Sequence, residues 1–157
     1  MQTELVLSEA MSSFLESGMS ITVATRDGNL APDGAPAWAA RVHEDATGLT
    51  LFLYEEAGRR MLRNLEAHPG IAILFDRPSQ TRACQVKGMF LSSRKARAAE
   101  RAEVERQFDA LAADLEAIGI PRAMTAAWKH WPCLAFDVRV TALFEQTPGP
   151  GAGEPLR

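Results

Sequence analysis

The sequence predicts a mainly β protein, an antiparallel barrel with helical additions, and three observations support this fold class. About six runs of β-branched and apolar residues have the length of strands and are bounded by turn-forming residues. These runs do not alternate regularly with helices, as they would in a parallel α/β sheet. The chain of 157 residues has the size of one domain, so we expect residues 1–157 to form a single unit.

Each predicted strand is a short apolar run that ends at turn residues. The predicted strands are 21–25, 37–43, 49–54, 71–75, 83–92 and 133–144. The strongest turn signal, Asp27-Gly28, ends the first strand, and a loop at 30–36 that contains Pro and Gly precedes the second. Gly88 lies inside the fifth strand, where it indicates a bulge or a close approach of another backbone.

Four helices are predicted from apolar residues spaced three or four apart. The predicted helices are 8–17, 58–68, 96–118 and 121–130. Ser8 caps the first helix and Gly18 ends it. The third helix carries a single apolar stripe that could cover one opening of the barrel: Val104, Phe108, Leu111, Leu115 and Ile118. The Pro/Gly-rich tail from residue 147 is either an ordered part of a site or a disordered end.

Composition and charge exclude several classes of protein. With 46% hydrophobic and 24% charged residues and a net charge of −3, the chain has no bias toward nucleic acid. No apolar run is long enough to span a membrane, and Glu4 and Glu9 stand where a signal peptide would be basic, so we expect a cytoplasmic protein. Cys84 and Cys133 are expected to be buried free thiols rather than a disulfide.

The charge is unevenly distributed along the chain. Residues 57–106 carry eleven Lys and Arg against five Asp and Glu. This basic segment indicates either a small anionic ligand or a solvated helix surface. We interpret five of its residues as solvated surface because glutamates are interspersed among them: Arg94, Lys95, Arg97, Arg101 and Arg106.

Motifs of several common enzyme classes are absent. The sequence has no phosphate loop and no Gly-x-Gly-x-x-Gly that could open a helix after a strand. Its three histidines and two cysteines lack the spacing of metal ligands, and no Gly-x-Ser-x-Gly elbow of a serine hydrolase occurs. We therefore predict no metal site and identify no catalytic residue.

Five segments occur in an order that resembles a known superfamily. They are GMSITVATR (18–26), AWAARV (37–42), NLEAHP (64–69), TRACQVKG (81–88) and QTPGPGAG (146–153). Together they resemble the FMN-binding split-barrel superfamily, of pyridoxamine 5′-phosphate oxidase type. The resemblance spans nearly the whole chain. It implies a six-stranded antiparallel split barrel of Greek-key type, a homodimer and FMN held near the subunit interface.

The resemblance also implies which residues bind the FMN phosphate. A strand and the start of the helix after the next strand supply basic residues in this superfamily, and here Arg41, Arg59 and Arg60 occupy the matching places. Arginine forks suit a phosphate dianion. We place Arg59 and Arg60 at a helix N-terminus, where an anion is favoured and where unpaired cations are slightly unfavourable.

In this superfamily, the strand that corresponds to the one beginning near Arg82 packs against the flavin ring. Gln85 and Lys87 share one face of that strand and Arg82 begins it on the other. Gln85 could hydrogen-bond the polar edge of the ring, and Lys87 could stabilise the reduced flavin. Trp38 could flank the flavin, or it could pack in the core or at an interface.

The function predicted is that of an FMN-dependent oxidoreductase acting on a small molecule at a homodimer interface. Two alternatives stay open: a protein that holds a flavin or a haem without turnover, and one that binds a deazaflavin. The sequence departs from the oxidase itself, having Gly-Arg-Arg in place of its Ser-Arg-Lys and lacking its C-terminal Trp and Arg-Leu segment. We therefore do not expect oxidation of pyridoxamine phosphate.

Overall fold

The computed structural model describes residues 5–156, which form one antiparallel sheet with four α-helices. The strands are β1 Ser20–Arg26, β2 Pro32–Ala37, β3 Ala39–Val42, β4 Gly48–Tyr54, β5 Gly70–Arg77, β6 Arg82–Lys95, β7 Cys133–Glu145 and β8 Pro155–Leu156. The helices are α1 Glu9–Leu15, α2 Glu55–Ala67, α3 Arg101–Ala117 and α4 Arg122–Thr125. Short 3₁₀ turns occupy Pro78–Gln80 and Ala98–Glu100.

The strands follow the spatial order β2-β1-β5-β6-β7-β4-β3, with β8 added to β7, and every neighbouring pair is antiparallel. This is a split barrel, so the predicted fold class is confirmed. The count of six strands is wrong, because the described chain has eight. The stretch at 30–36, predicted as a loop, contributes β2, and the predicted strand 37–43 is interrupted at Trp38. Pro32 and Pro36 are tolerated in β2 because it is an edge strand.

Two apolar clusters lie on opposite sides of the sheet. The barrel interior contains the larger one, including Leu49, Leu51 and Leu53 of β4. The second cluster forms where α3 packs on the outside of the barrel, against Phe52 and Trp38. Strand β4 is therefore buried on both faces, which explains its continuous apolar sequence.

The helices differ from the predictions mainly at their ends. Ser8 caps α1 as predicted, its Oγ accepting a hydrogen bond from the N–H of Met11 at 3.1 Å. Helix α2 begins at Glu55, three residues before the predicted start, and the predicted helix 121–130 is only the four-residue α4. Four of the five predicted stripe residues of α3 are buried, whereas Ile118 lies beyond its end and is 50% exposed.

Gly88 and the cysteines agree with the predictions. The pairing of β6 with β7 shifts register at Lys87/Gly88, and a Cβ at Gly88 would lie 2.5 Å from Val138 Cγ1. Cys84 and Cys133 are buried free thiols. Burial raises the pKa of both thiols to about 12, so they are poor nucleophiles at neutral pH. Within residues 5–156, no helix has the length and apolar character needed to cross a membrane.

Candidate functional site

One row of residues crosses the outer face of the sheet from β2 to β7. Strand pairing places Pro36 opposite Thr22, Thr22 opposite Leu74, Leu74 opposite Gln85, and Gln85 opposite Phe144. Directly paired residues point to the same side of an antiparallel sheet. All five of these side chains, called here the outer row, are half-buried or exposed. The row is thus an open, mixed apolar and polar surface.

Gln85 and Lys87 project from β6 onto this open face, as the sequence predicts. Gln85 is half-buried and Lys87 is exposed, while the alternating Cys84, Val86 and Gly88 are buried in the barrel. The Lys87 ammonium lies 5.1 Å from the centre of the Phe144 ring. Among the described residues, neither the Gln85 amide nor the Lys87 ammonium makes a hydrogen bond or an ion pair. Both groups are therefore free to bind a ligand.

Arg82 lies apart from these two residues. Its guanidinium is stacked 4.0 Å above the ring of Phe14, which belongs to α1. This agrees with its predicted place at the start of the strand, away from the face of Gln85 and Lys87. No carboxylate within the described chain is close enough to Arg82 to form an ion pair.

Each of the three arginines predicted to hold a phosphate is paired with a different carboxylate. Arg41 donates to Glu100 at 3.0 Å, and Arg60 donates to Asp33 at 2.7 Å and to the carbonyl of Gly34 at 2.8 Å. Arg59 pairs with Glu55, one turn earlier on α2.

The predicted location of Arg59 and Arg60 at a helix N-terminus is wrong. Helix α2 begins at Glu55, so both arginines lie in its second turn. The first turn instead carries Glu55 and Glu56, which suit the positive end of the helix dipole. Three further residues of helix exist here because Tyr54 leaves the sheet directly into α2.

Sequence reasoning missed an arginine cluster around Glu100. This carboxylate is 6% exposed and binds Arg94, Arg97 and Arg41 together. The hydrogen bonds from Arg94 are the main reason that the pKa of Glu100 lies far below its usual value. The prediction of a solvated helix surface is wrong for Arg94, because this residue lies in β6 and its side chain is only 34% exposed. The sequence held one hint, the three-residue spacing of Arg97 and Glu100.

A second polar cluster occupies the outer face near the β3–β4 turn. Asp137 accepts hydrogen bonds from Thr50 at 2.7 Å and from Ser92 at 3.2 Å, and His43 Nε2 lies 3.1 Å from Thr50 Oγ1. The hydroxyls thus point toward the carboxylate, and neither is activated as a nucleophile by the imidazole. No group of three potential metal ligands is found in the described part of the chain.

The Pro/Gly-rich tail is ordered against the sheet. Thr147 Oγ1 accepts a hydrogen bond from the N–H of Ala83 at 3.0 Å, and the chain then turns so that β8 pairs with β7. Gly149 and Gly153 have φ angles of +150° and +91°, which other residues rarely adopt. The tail therefore lies next to the start of β6, the strand of Gln85 and Lys87.

Trp38 lies in a different place from the other predicted ligands, in the wall of an apolar groove. The groove has a volume of about 680 Å³ and lies between the β1–β2 edge, the end of α3 and residues 127–129. Trp38 is 8% exposed, and its indole N–H has no hydrogen-bond partner in the described structure. Of the seven predicted ligands, the structure thus places Gln85 and Lys87 together on one open face of the sheet, and Arg59 and Arg60 next to each other in α2.

The comparisons with known proteins agree with the fold. The model of the family described as pyridoxamine 5′-phosphate oxidase matches residues 7–130. HupZ of Group A Streptococcus is 16% identical with a TM-score of 0.56, covering 94% of this chain and 100% of that chain. An F420 reductase is 18% identical with a TM-score of 0.57, and the match covers 87% of this chain and 98% of that chain.

A third similar structure is that of a protein from Lactobacillus delbrueckii described as a candidate pyridoxamine 5′-phosphate oxidase. It is 12% identical with a TM-score of 0.55, and the match covers 92% of this chain and 97% of that one. No curated protein matches the chain in sequence. At these identities the structural matches establish a common fold.

Proposed function

Since the chain belongs to the pyridoxamine 5′-phosphate oxidase family, we propose that it binds FMN on the open face of its sheet and passes electrons between the flavin and a small molecule. The observation that carries this proposal is the pair Gln85 and Lys87, which project side by side from β6 and whose amide and ammonium groups have no hydrogen-bond or ion-pair partner among the described residues. The F420 reductase among the similar structures supports a redox role for this fold.

The residues of the open face fit the ring of a flavin. Leu74 and Phe144 flank Gln85 in the outer row and offer apolar surface to a planar ring. The Gln85 amide can both donate and accept, as the alternating carbonyl and N–H groups of the flavin edge require. Lys87 supplies a positive charge next to this edge. When bound, the flavin would accept and release electrons, and the protein would position it and tune its charge.

The phosphate is assigned in this proposal to Arg41, Arg59 and Arg60. Each of these guanidiniums would exchange a carboxylate for the phosphate dianion, which is the stronger acceptor. Arg60 is the best placed of the three to bind the phosphate, because its partner Asp33 belongs to the edge strand β2 and the Arg60 side chain is 47% exposed. Arg82, which has no carboxylate partner among residues 5–156, is a further cation on β6, the strand that carries Gln85 and Lys87.

A homodimer is part of the proposal. Leu74 and Phe144 leave apolar surface half-exposed on the outer face, and Leu91, farther along β6, is 54% exposed. A second copy packed on this face would bury these residues and enclose the ring of the flavin from the other side.

A cytoplasmic location also belongs to the proposal, since two free thiols suit a reducing compartment.

The test is an absorption spectrum of the purified protein, followed by FMN titration monitored by flavin fluorescence. We expect a flavin spectrum and one FMN per chain. Gln85→Leu and Lys87→Met should each weaken FMN about tenfold, whereas Lys95→Met, a matched change on the same strand, should not. A Soret band without flavin absorbance would favour the haem-binding alternative. Unchanged FMN affinity in both variants would remove Gln85 and Lys87 from the site.

A further inference from the structure

We propose that the cavity between the end of α1, strand β3 and the start of α3 binds a small zwitterion of the α-amino acid type. This cavity, called here the polar cavity, has a volume of about 600 Å³ and is lined by Glu16, Arg41, Arg97, Ala99, Glu100 and Glu103. It contains neither Gln85 nor Lys87, and its ligand goes beyond the proposed function.

Two guanidiniums offer free donors to the polar cavity. Arg41 and Arg97 each donate one side-chain hydrogen bond to Glu100 through Nη2, at 3.0 and 3.1 Å. Within residues 5–156, the Nε and Nη1 groups of both side chains have no acceptor. The Arg41 guanidinium also lies 5.5 Å from the centre of the Phe52 ring, a contact that restricts its orientation. Guanidinium N–H groups held in this way suit a carboxylate.

The charge of the cluster favours an anionic group on the ligand. Arg41, Arg94 and Arg97 surround the single carboxylate of Glu100, so two positive charges are in excess. Both oxygens of Glu100 already accept hydrogen bonds from these residues. Glu100 therefore holds the guanidiniums in place, and a ligand carboxylate beside Arg41 and Arg97 would balance part of their excess charge.

Glu16 supplies the opposite charge. One of its carboxylate oxygens accepts a hydrogen bond from the N–H of Val42, the residue after Arg41, at 2.6 Å. Its other oxygen has no hydrogen-bond partner among the described residues, and no basic side chain there forms an ion pair with it. Glu103, by contrast, is occupied by Arg106 at 2.6 and 2.9 Å. Glu16 is thus the carboxylate that is left for a cationic group of the ligand.

An α-amino acid matches both sets of groups at once. Its ammonium and carboxylate are attached to the same carbon atom, so a site that binds both must present donors and an acceptor close together. Arg41 and Arg97 are the donors here, and Glu16 is the acceptor. A purely anionic ligand would leave Glu16 unpaired, and a purely cationic one would be repelled by the guanidiniums. The volume is within the range of ligand pockets, roughly 300–1,000 Å³, and leaves room for a side chain.

Arg41 is shared with the phosphate assignment of the proposed function. The two ligands are compatible if the phosphate lies on Arg60, whose partner Asp33 does not belong to the polar cavity. Arg97 and Glu16 have no part in the proposed function. Variants at these two positions therefore test the polar cavity by itself.

The experiment titrates glycine, acetate and methylammonium into the full chain without flavin, at low ionic strength because salt screens exposed charges. NMR spectra of the arginine Nε–H groups follow binding, with the Arg97 resonance assigned by its absence in Arg97→Gln. We expect glycine to bind more tightly than acetate, and methylammonium to bind most weakly.

The variants separate the two ends of the ligand. Arg97→Gln should weaken glycine and acetate roughly three- to tenfold. Glu16→Gln keeps an acceptor for Val42, and it should weaken glycine roughly three- to fivefold without weakening acetate. The control Arg101→Gln, on α3 and outside the lining of the cavity, should change neither affinity.

Three results would each overturn the proposal. The first is equal affinity for glycine and acetate with no effect of Glu16→Gln, which would reduce the polar cavity to a simple anion site. The second is an absence of binding at ligand concentrations on the order of ten millimolar. The third is an Arg97 resonance that glycine does not move.

Repeating the glycine titration with saturating FMN distinguishes this proposal from the proposed function. We expect glycine and FMN to bind together. If FMN displaces glycine, and Arg97→Gln weakens FMN but not riboflavin, the polar cavity holds the flavin phosphate and the amino acid proposal fails, while the proposed function stands. If FMN does not bind and the glycine results hold, the amino acid proposal stands and the proposed function fails.

Discussion

Glu100 binds the guanidinium of Arg94 through both of its carboxylate oxygens, with Nη1–Oε2 at 2.8 Å and Nη2–Oε1 at 2.7 Å. Arg41 and Arg97 donate to the same carboxylate, and the N–H of Arg97 does so as well. One buried charge thus joins β3, β6 and the turn that leads into α3. Charge-assisted pairs with this geometry are stronger than exposed ion pairs.

Glu100→Ala should lower the free energy of unfolding by about 2–3 kcal/mol, because three guanidiniums lose their shared acceptor. Urea denaturation measures this difference. Glu105→Ala, which removes an exposed ion pair one turn along α3, is the control and should change stability by less than about 0.5 kcal/mol.

The same pair predicts a pH dependence. Because Arg94 lowers the pKa of Glu100 below its unfolded value of 4.5, the stabilisation is fully present above that pH and declines as the pH falls below it. Between about pH 5 and pH 3, Glu100→Ala should therefore lose less stability than the wild-type protein does. Equal losses of stability in the wild-type protein and in Glu100→Ala over this pH range would contradict the role given to Glu100.

Asp33→Asn should tighten FMN binding by about three- to fivefold, since it removes the carboxylate that competes with phosphate for Arg60. Riboflavin, which has no phosphate, should bind both proteins equally. Arg60→Ala should have the opposite effect on FMN and again leave riboflavin unchanged. Equal changes for both ligands would mean that Arg60 acts through folding, and Arg41 and Arg59 would remain to be tested in the same way.

Lys87→Met should lower the reduction potential of the bound flavin and slow turnover by roughly tenfold, because the reduced ring gains negative charge beside this ammonium. Potentiometric titration and steady-state rates with nicotinamide and organic donors measure the two effects. A protein that binds FMN but gives only the rates of free FMN with every donor and acceptor is a flavin carrier rather than an enzyme.

Truncation after Gln146 should weaken FMN binding and reduce stability by about 1–2 kcal/mol, because it removes the Thr147 cap on Ala83 and strand β8. Thermal denaturation and FMN titration provide the measurements. If affinity and dimerisation are both unaffected, the tail has no part in the site, although it is ordered.

Gly88→Ala should destabilise the protein by about 1–3 kcal/mol, because the added Cβ would lie 2.6 Å from the carbonyl oxygen of Arg139. Gly70→Ala is the matched control on the neighbouring strand β5, one residue before Ile71, the partner of Gly88, and a Cβ at Gly70 would meet no atom within 4 Å. Its effect on the urea midpoint should be negligible.

Local patterns in the sequence were sufficient for the periodic parts of the fold. Alternation placed Gln85 and Lys87 on one face of β6, because side chains of a strand alternate by simple geometry. The spacing of Val104, Phe108 and Leu111 likewise identified the buried stripe of α3. The edge strand β2 was missed, since Pro32 and Pro36 are unfavourable in a strand unless its outer edge lacks a partner, and strand order is not visible in local sequence.

The partners of the charged residues were decided by tertiary structure alone. Nothing in the sequence around Arg41 indicates Glu100, which lies 59 residues away, or places Arg94 on the same carboxylate. The groove has the same origin, because Trp38 and Trp128 meet only when α3 and the segment after it pack on the outside of the barrel. The sequence by itself determined which residues face outward from each element, a consequence of local backbone geometry. The folded chain decided which of them meet, because such contacts depend on how distant strands and helices are arranged.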